Sequence, residues 1–115
     1  MIDEEGEFLR RRQQFFSDVS AGHTDAVQHS LSQKPLTNFR GDVFPWLTMT
    51  SGDDRTAFLV AAEHGHVQTM RILAGNGADV KACDNSGEGA LHVAAANNHV
   101  HALHYLVAEL GLPID

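Results

Sequence analysis

Ala57-Phe-Leu-Val-Ala-Ala-Glu-His-Gly-His-Val-Gln-Thr-Met-Arg-Ile-Leu-Ala74 lies over Ala90-Leu-His-Val-Ala-Ala-Ala-Asn-Asn-His-Val-His-Ala-Leu-His-Tyr-Leu-Val107 at an offset of 33 residues. Seven of the 18 positions are identical: Ala57/Ala90, Val60/Val93, Ala61/Ala94, Ala62/Ala95, His66/His99, Val67/Val100 and Leu73/Leu106. Pairs such as Phe58/Leu91, Met70/Leu103 and Ile72/Tyr105 keep their apolar class. A period of this length marks stacked supersecondary units, none of which can bury its apolar face alone.

Within each copy the apolar residues recur at helical spacing on either side of a break at Gly65-His66 or Asn98-His99. The spacing predicts helices over 57–64, 67–74, 90–97 and 100–109. Ala61 and Ala62 are small enough to let neighbouring helices approach closely. Asn76-Gly77 is a helix stop, and 79–87 reads as a hairpin-like finger between units. Upstream, 5–20 and 24–32 form a further helix pair around Gly22-His23, closed by Pro35. Arg10-Arg-Arg12 interrupts the apolar stripe of the first helix; a basic contact site is one reading of it, and a solvated face near Asp3, Glu4, Glu5 and Glu7 is the one expected.

Thr56-Ala-Phe-Leu-Val-Ala-Ala-Glu-His-Gly-His66, Met70-Arg-Ile-Leu73 and Gly77-Ala-Asp-Val-Lys-Ala82 together resemble the ankyrin repeat. Asp84-Asn-Ser-Gly87 and Ala90-Leu-His-Val-Ala-Ala95 open a second copy. A degenerate earlier copy runs from Phe15 to Leu31. The resemblance implies an all-α solenoid of helix-turn-helix units linked by hairpin-like fingers. It makes residues 1–115 a single domain, with units at about 5–35, 51–83 and 84–115. The Thr-Pro-Leu-His signature is nowhere intact: Thr56-Ala-Phe-Leu59 and Gly89-Ala-Leu-His92 each hold one part of it. Without proline at the first helical position, modest stability is expected.

Gly22 and Gly65 are 43 residues apart, ten more than the repeat, which places an insertion at about 36–50. This segment, read as a long loop, holds the only Trp and Phe39 and Phe44. Phe39, Phe44 and Trp46 are candidate partner anchors; the competing expectation is that the aromatics fold back over the stack.

Eight Lys and Arg against 15 Asp and Glu give a net charge of −7 with His neutral, which argues against nucleic-acid binding. The eight histidines would bring this to about +1 if all were protonated near their ordinary pKa of about 6.5. The repeated Gly-His turns raise that count. A single cysteine, Cys83, excludes an intrachain disulfide. The acidic start lacks the apolar run of a signal peptide, and no stretch reaches membrane-span length. A cytoplasmic or nuclear protein with no membrane association is expected.

No catalytic constellation is present: no Gly-x-Ser-x-Gly elbow, no phosphate-binding glycine loop and no His-Glu-x-x-His. The chain is therefore expected not to be an enzyme and to need no cofactor. His101 and His104 lie one helical turn apart and are weak metal-ligand candidates, the basis of an alternative reading as a weak His-based metal binder.

The ankyrin resemblance implies protein recognition through a concave face built from first helices and fingers. On this sequence that face comprises Asp53, Asp54, Arg55, Glu63, His64, Asn85, Ser86, Glu88, Ala96 and Asn97. Its acidic excess implies a partner protein with a neutral to basic surface. Apolar Leu103, Leu106, Val107 and Leu110 are either the core of their own unit or, with Ile114, an end without the polar outer cap of a terminal unit, so the chain is expected to be a fragment of a longer array, or a monomer or weak self-associate through that unit. The alternative is a regulatory or targeting segment of a larger multidomain enzyme.

Overall fold

The computed structural model describes residues 4–37, 43–50 and 54–111. The elements are α1 (Glu4–Ala21), α2 (Thr24–Leu31), β1 (Leu36–Thr37), β2 (Val43–Phe44), α3 (Ala57–Glu63), α4 (Val67–Gly75), α5 (Ala90–Ala96) and α6 (Val100–His104). A π-helical turn, Tyr105–Glu109, continues α6.

The fold is an all-α stack of helix pairs. In the inner row α1 packs on α3 and α3 on α5; the outer helix α2 packs on both α1 and α4, α4 on α3, and α6 on α5. Its extents of 50 × 29 × 21 Å are those of an elongated array. α3 is the centre of the stack: all six residues from Ala57 to Ala62 are buried, the pattern of a helix covered on every side. Ala61 and Ala62, both fully buried, present no bulk to hold α1 and α5 away. Phe15, Val19, Val27, Phe58, Leu59, Met70, Leu73 and Leu106 complete the core along the axis.

The three turns between paired helices share one backbone design. Gly22, Gly65 and Asn98 have φ of +76, +70 and +60°, and the following histidines have nearly equal φ and ψ before the next helix begins. In each turn the histidine N–H donates to a carbonyl five residues back, at Asp18, Ala61 and Ala94. Asn98 fills the third turn because asparagine tolerates the left-handed conformation better than other side chains bearing a Cβ.

The glycines are also where the units touch. A Cβ on Gly22 would fall 2.8 Å from Nδ1 of His66, and one on Gly65 only 2.5 Å from Nδ1 of His99. Each histidine ring therefore rests on the glycine of the preceding turn. His66 Nε2 donates to the Ser20 carbonyl at 2.8 Å; a carbonyl can only accept, so the proton is on Nε2.

Four local expectations are corrected. The segment after α2 is not strandless: Leu36 pairs with Phe44 and Thr37 with Val43 in an antiparallel ribbon. Trp46, 6% exposed, is buried against Phe15 at a centroid distance of 4.8 Å, and its indole N–H donates to the Lys34 carbonyl. The arginine triplet is only partly a solvated face, because Arg12 donates to the Thr50 carbonyl and lies over Phe16, while Arg11 lies 6.0 Å from the Trp46 ring. These contacts clamp the insertion to α1.

The fourth correction is the π turn. From Leu73 to the left-handed Gly77 is four residues; from Leu106 to the left-handed Gly111 is five. One extra residue has entered the helix, and a π turn is how a helix absorbs a single insertion. The Leu110 N–H accordingly donates to the Tyr105 carbonyl, five residues back.

Candidate functional site

The acidic face is organised by Arg55, which leads into α3. Its Nη1 donates to Glu63 Oε1 at 2.8 Å, its Nε to Asp84 Oδ2 at 3.2 Å, and its Nη2 lies 3.6 Å from Glu88 Oε2. Glu63 closes α3, whereas Asp84 and Glu88 lie in the finger that leads to α5. One guanidinium thus ties the end of one unit's first helix to the finger of the next. A planar fork of fixed donors suits such a junction where a lysine would not. Burial works against the charge of Arg55, yet hydrogen bonds and attraction from Glu63 and Asp84 outweigh it and raise its pKa.

Asp84 holds the finger in shape. Its Oδ1 accepts from the N–H groups of Ser86 and Glu88, both at 2.9 Å. Its own N–H donates to the Glu88 carbonyl, and Gly87 N–H donates to the Asp84 carbonyl. An aspartate bonding the backbone just beyond it favours a turn over a strand, so the finger between α4 and α5 contains turns and no paired strand. The Glu88 N–H first, then that of Ser86 and the Arg55 side chain, hold the Asp84 carboxyl below its ordinary range despite an opposing contribution from burial.

The residues expected at the site divide by what they touch. Arg55, Glu63 and Glu88 come together as described. Asn85 Nδ2 donates to Asp54 Oδ2 at 2.9 Å, a second link between successive fingers. His64 and Ser86 are exposed, and the His64 ring stacks on His66 at 6.2 Å. Ala96 and Asn97 are exposed, but Asn97 Nδ2 donates to the Val93 carbonyl and so closes its own helix. Phe39 and Asp53 lie outside the described residues, and Phe44 is placed only as a position on β2. Trp46 is corrected from a candidate anchor to a core residue, because Phe15 and the Lys34 carbonyl already occupy its face and its polar edge.

Asp84 is the site residue that reading the sequence missed. Its signal was present in Asp84-Asn-Ser-Gly87, a turn-forming tetrapeptide, but the partner that makes it central, Arg55, lies 29 residues earlier. The split signature is also resolved. Thr56 Oγ1 accepts from the Leu59 N–H at the start of α3, and His92 Nδ1 accepts from the Gly89 N–H at the start of α5. His101 and His104 are exposed on α6. Among the described residues no group of three or more His, Cys, Asp or Glu is placed to hold a metal ion.

Comparison with known proteins agrees with this geometry. Residues 58–107 match the family model "Ankyrin repeats (many copies)". An L-asparaginase of Dirofilaria immitis is 41% identical over 49 residues, a stretch that spans 43% of this chain and 8% of that protein. The match supports residues 58–107, somewhat under half of the chain, as ankyrin repeats. Ankyrin repeats generally mediate protein–protein interaction, and the family is in general non-catalytic. No helix among the described residues is long and apolar enough to cross a membrane.

Proposed function

We propose that this chain is a protein-recognition module whose contact surface is the ledge formed by Asp54, Glu63, His64, Asn85, Ser86 and Glu88, and that it takes a partner with a neutral to basic surface. The observation that carries the reading is the Arg55 junction. It fixes carboxylates from two units in one rigid arrangement, and the four carboxylates of Asp54, Glu63, Asp84 and Glu88 outnumber the single guanidinium. Preformed side chains lower the ordering cost of association, and an excess of one charge sign steers the opposite sign.

Capture from a lysate of the native cells, quantified by mass spectrometry, tests this with Asp54→Asn combined with Glu88→Gln. Asparagine tolerates the φ of +58° at position 54, and Glu88 makes the longest of the Arg55 contacts. The double variant is expected to lose a set of basic proteins that the parent chain retains, with thermal stability nearly unchanged. Equal capture of those proteins by both would sink the assignment.

A second reading is favoured by the likeness to the L-asparaginase: the module serves as the regulatory or targeting segment of a larger enzyme. An antibody raised against this chain would then precipitate from native cells a protein well above 12.5 kDa, together with asparaginase activity. A band at the mass of the chain alone, with no activity, contradicts it.

A further inference from the structure

The stop that ends α4 is an Asn-Gly pair, whose chemistry goes beyond turn formation. The Asn76 N–H donates to the Ile72 and Leu73 carbonyls, and its Nδ2 donates to the Ile72 carbonyl at 2.7 Å. Gly77 follows with φ of +98°. Its N–H donates to the Ala74 carbonyl, and the Ala78 N–H donates to the Leu73 carbonyl. Asn76 and Gly77 are both exposed, and no atom outside the local chain lies within 4 Å of where a Gly77 Cβ would be. Asn76 itself has φ of −94° and ψ of 5°, a conformation that does not call for asparagine. Its amide serves one hydrogen bond at the end of the helix and is otherwise open to solvent.

We propose that Asn76 is a site of spontaneous deamidation gated by the fold: the closed turn withholds the reaction, and each opening of the last turn of α4 exposes the chain to irreversible conversion. The Gly77 main-chain nitrogen, its proton taken by hydroxide, attacks Cγ of Asn76. The new C–N bond closes a five-membered imide, and the Cγ–Nδ2 bond breaks to release ammonia. Water then opens the imide. Cleavage on the Cγ side leaves aspartate in the ordinary chain; cleavage at the main-chain carbonyl leaves isoaspartate, with the backbone rerouted through the side chain and one carbon longer. Glycine favours the attack because no Cβ shields its nitrogen. The native turn opposes it twice over. The Gly77 N–H is held by the Ala74 carbonyl. Ring closure also needs the Gly77 nitrogen eclipsed with Cβ of Asn76, whereas ψ of 5° eclipses it with the Asn76 nitrogen, about 120° away around a tetrahedral carbon. Conversion therefore waits on local opening. Afterwards the aspartyl product sets a carboxylate where Nδ2 donated to the Ile72 carbonyl, so two acceptors face each other, and negative charge at a helix C-terminus is unfavourable. The turn cannot reclose as before, and the finger beyond it loses its attachment at Ala78.

Ageing of the purified whole chain at mildly alkaline pH, with and without guanidinium chloride, followed by tryptic peptide mapping, tests the proposal. Cleavage after Arg71 and Lys81 leaves Asn76 alone in the peptide 72–81, while Asn85, Asn97 and Asn98 share 82–115. In denaturant the 72–81 peptide is expected to convert first, to a mixture of aspartyl and isoaspartyl forms. Without denaturant its conversion is expected to be at least about tenfold slower, because the turn is closed. The aged folded chain, separated from its parent by its added charge, is expected to lose hydrogen-exchange protection at Gly77 and Ala78 while keeping it in α3. Asn76→Asp reproduces that loss for the aspartyl product. No conversion in denaturant, conversion of 82–115 ahead of 72–81 there, or equal rates in the folded and denatured chain would each overturn the proposal. Full protection at Gly77 and Ala78 in the converted chain would overturn its claimed effect on the turn.

Discussion

At the residue scale, stability rests on a few positions where backbone conformation and contact coincide. Gly65 combines φ of +70° with a histidine ring where its Cβ would be. Gly65→Ala is therefore expected to cost about 2 kcal/mol or more, the left-handed penalty of about 1–2 kcal/mol plus displacement of His99. Adding His99→Ala relieves the steric part, so chemical denaturation of the two single variants and the double should show clear non-additivity; simple additivity contradicts the ring-on-glycine contact. Asp84 gives a pH signature. Its carboxyl is held below the ordinary range in the folded chain, so its contribution is present above the unfolded pKa of about 3.9 and is lost as pH falls through the lower folded value. The stability gap between the parent and Asp84→Asn should be constant near neutrality and close below about pH 4. A gap that widens on acidification would show that the sign is wrong.

At the scale of elements, the helices were legible because their information is local and repeated. Apolar positions three and four apart, a left-handed residue before each His and a glycine stop set the bounds of α2 to α5 to within a residue or two of those found. The ribbon of β1 and β2 was not legible, because two-residue strands leave no alternation to read. Nor was the inward turn of Trp46, since Phe15 lies 31 residues away in sequence. Trp46→Ala should cost about 3–5 kcal/mol, the usual range for emptying a large aromatic site, read as a shift in the denaturation midpoint. A loss under about 1 kcal/mol, the scale of an ordinary surface change, would mean that the insertion is not part of the core. The π turn was readable in principle, because the distance from leucine to glycine grows by one residue in the last unit. Deleting Leu110 is expected to restore an unbroken α-helix through 100–109, visible in a crystal structure of the variant; a surviving π turn would contradict the insertion as its cause.

At the scale of the molecule, a solenoid has no single deep cleft, and its long axis spreads the core over several interfaces. The sequence reading set Asp54, Arg55, Glu63 and Glu88 on one expected partner face without the bonds among them, and Arg55 is the tie that joins two units. Bonds across eight and 29 residues depend on how units stack, which a one-dimensional period does not specify. Recognition through a ledge held rigid by that tie is tested most directly by hydrogen exchange on the chain alone and with a captured partner. Protection is expected to rise at 54–64 and 84–89 and to stay unchanged in α2 and α4. Protection confined to α2 and α4, or to 43–50, would show that the partner binds elsewhere.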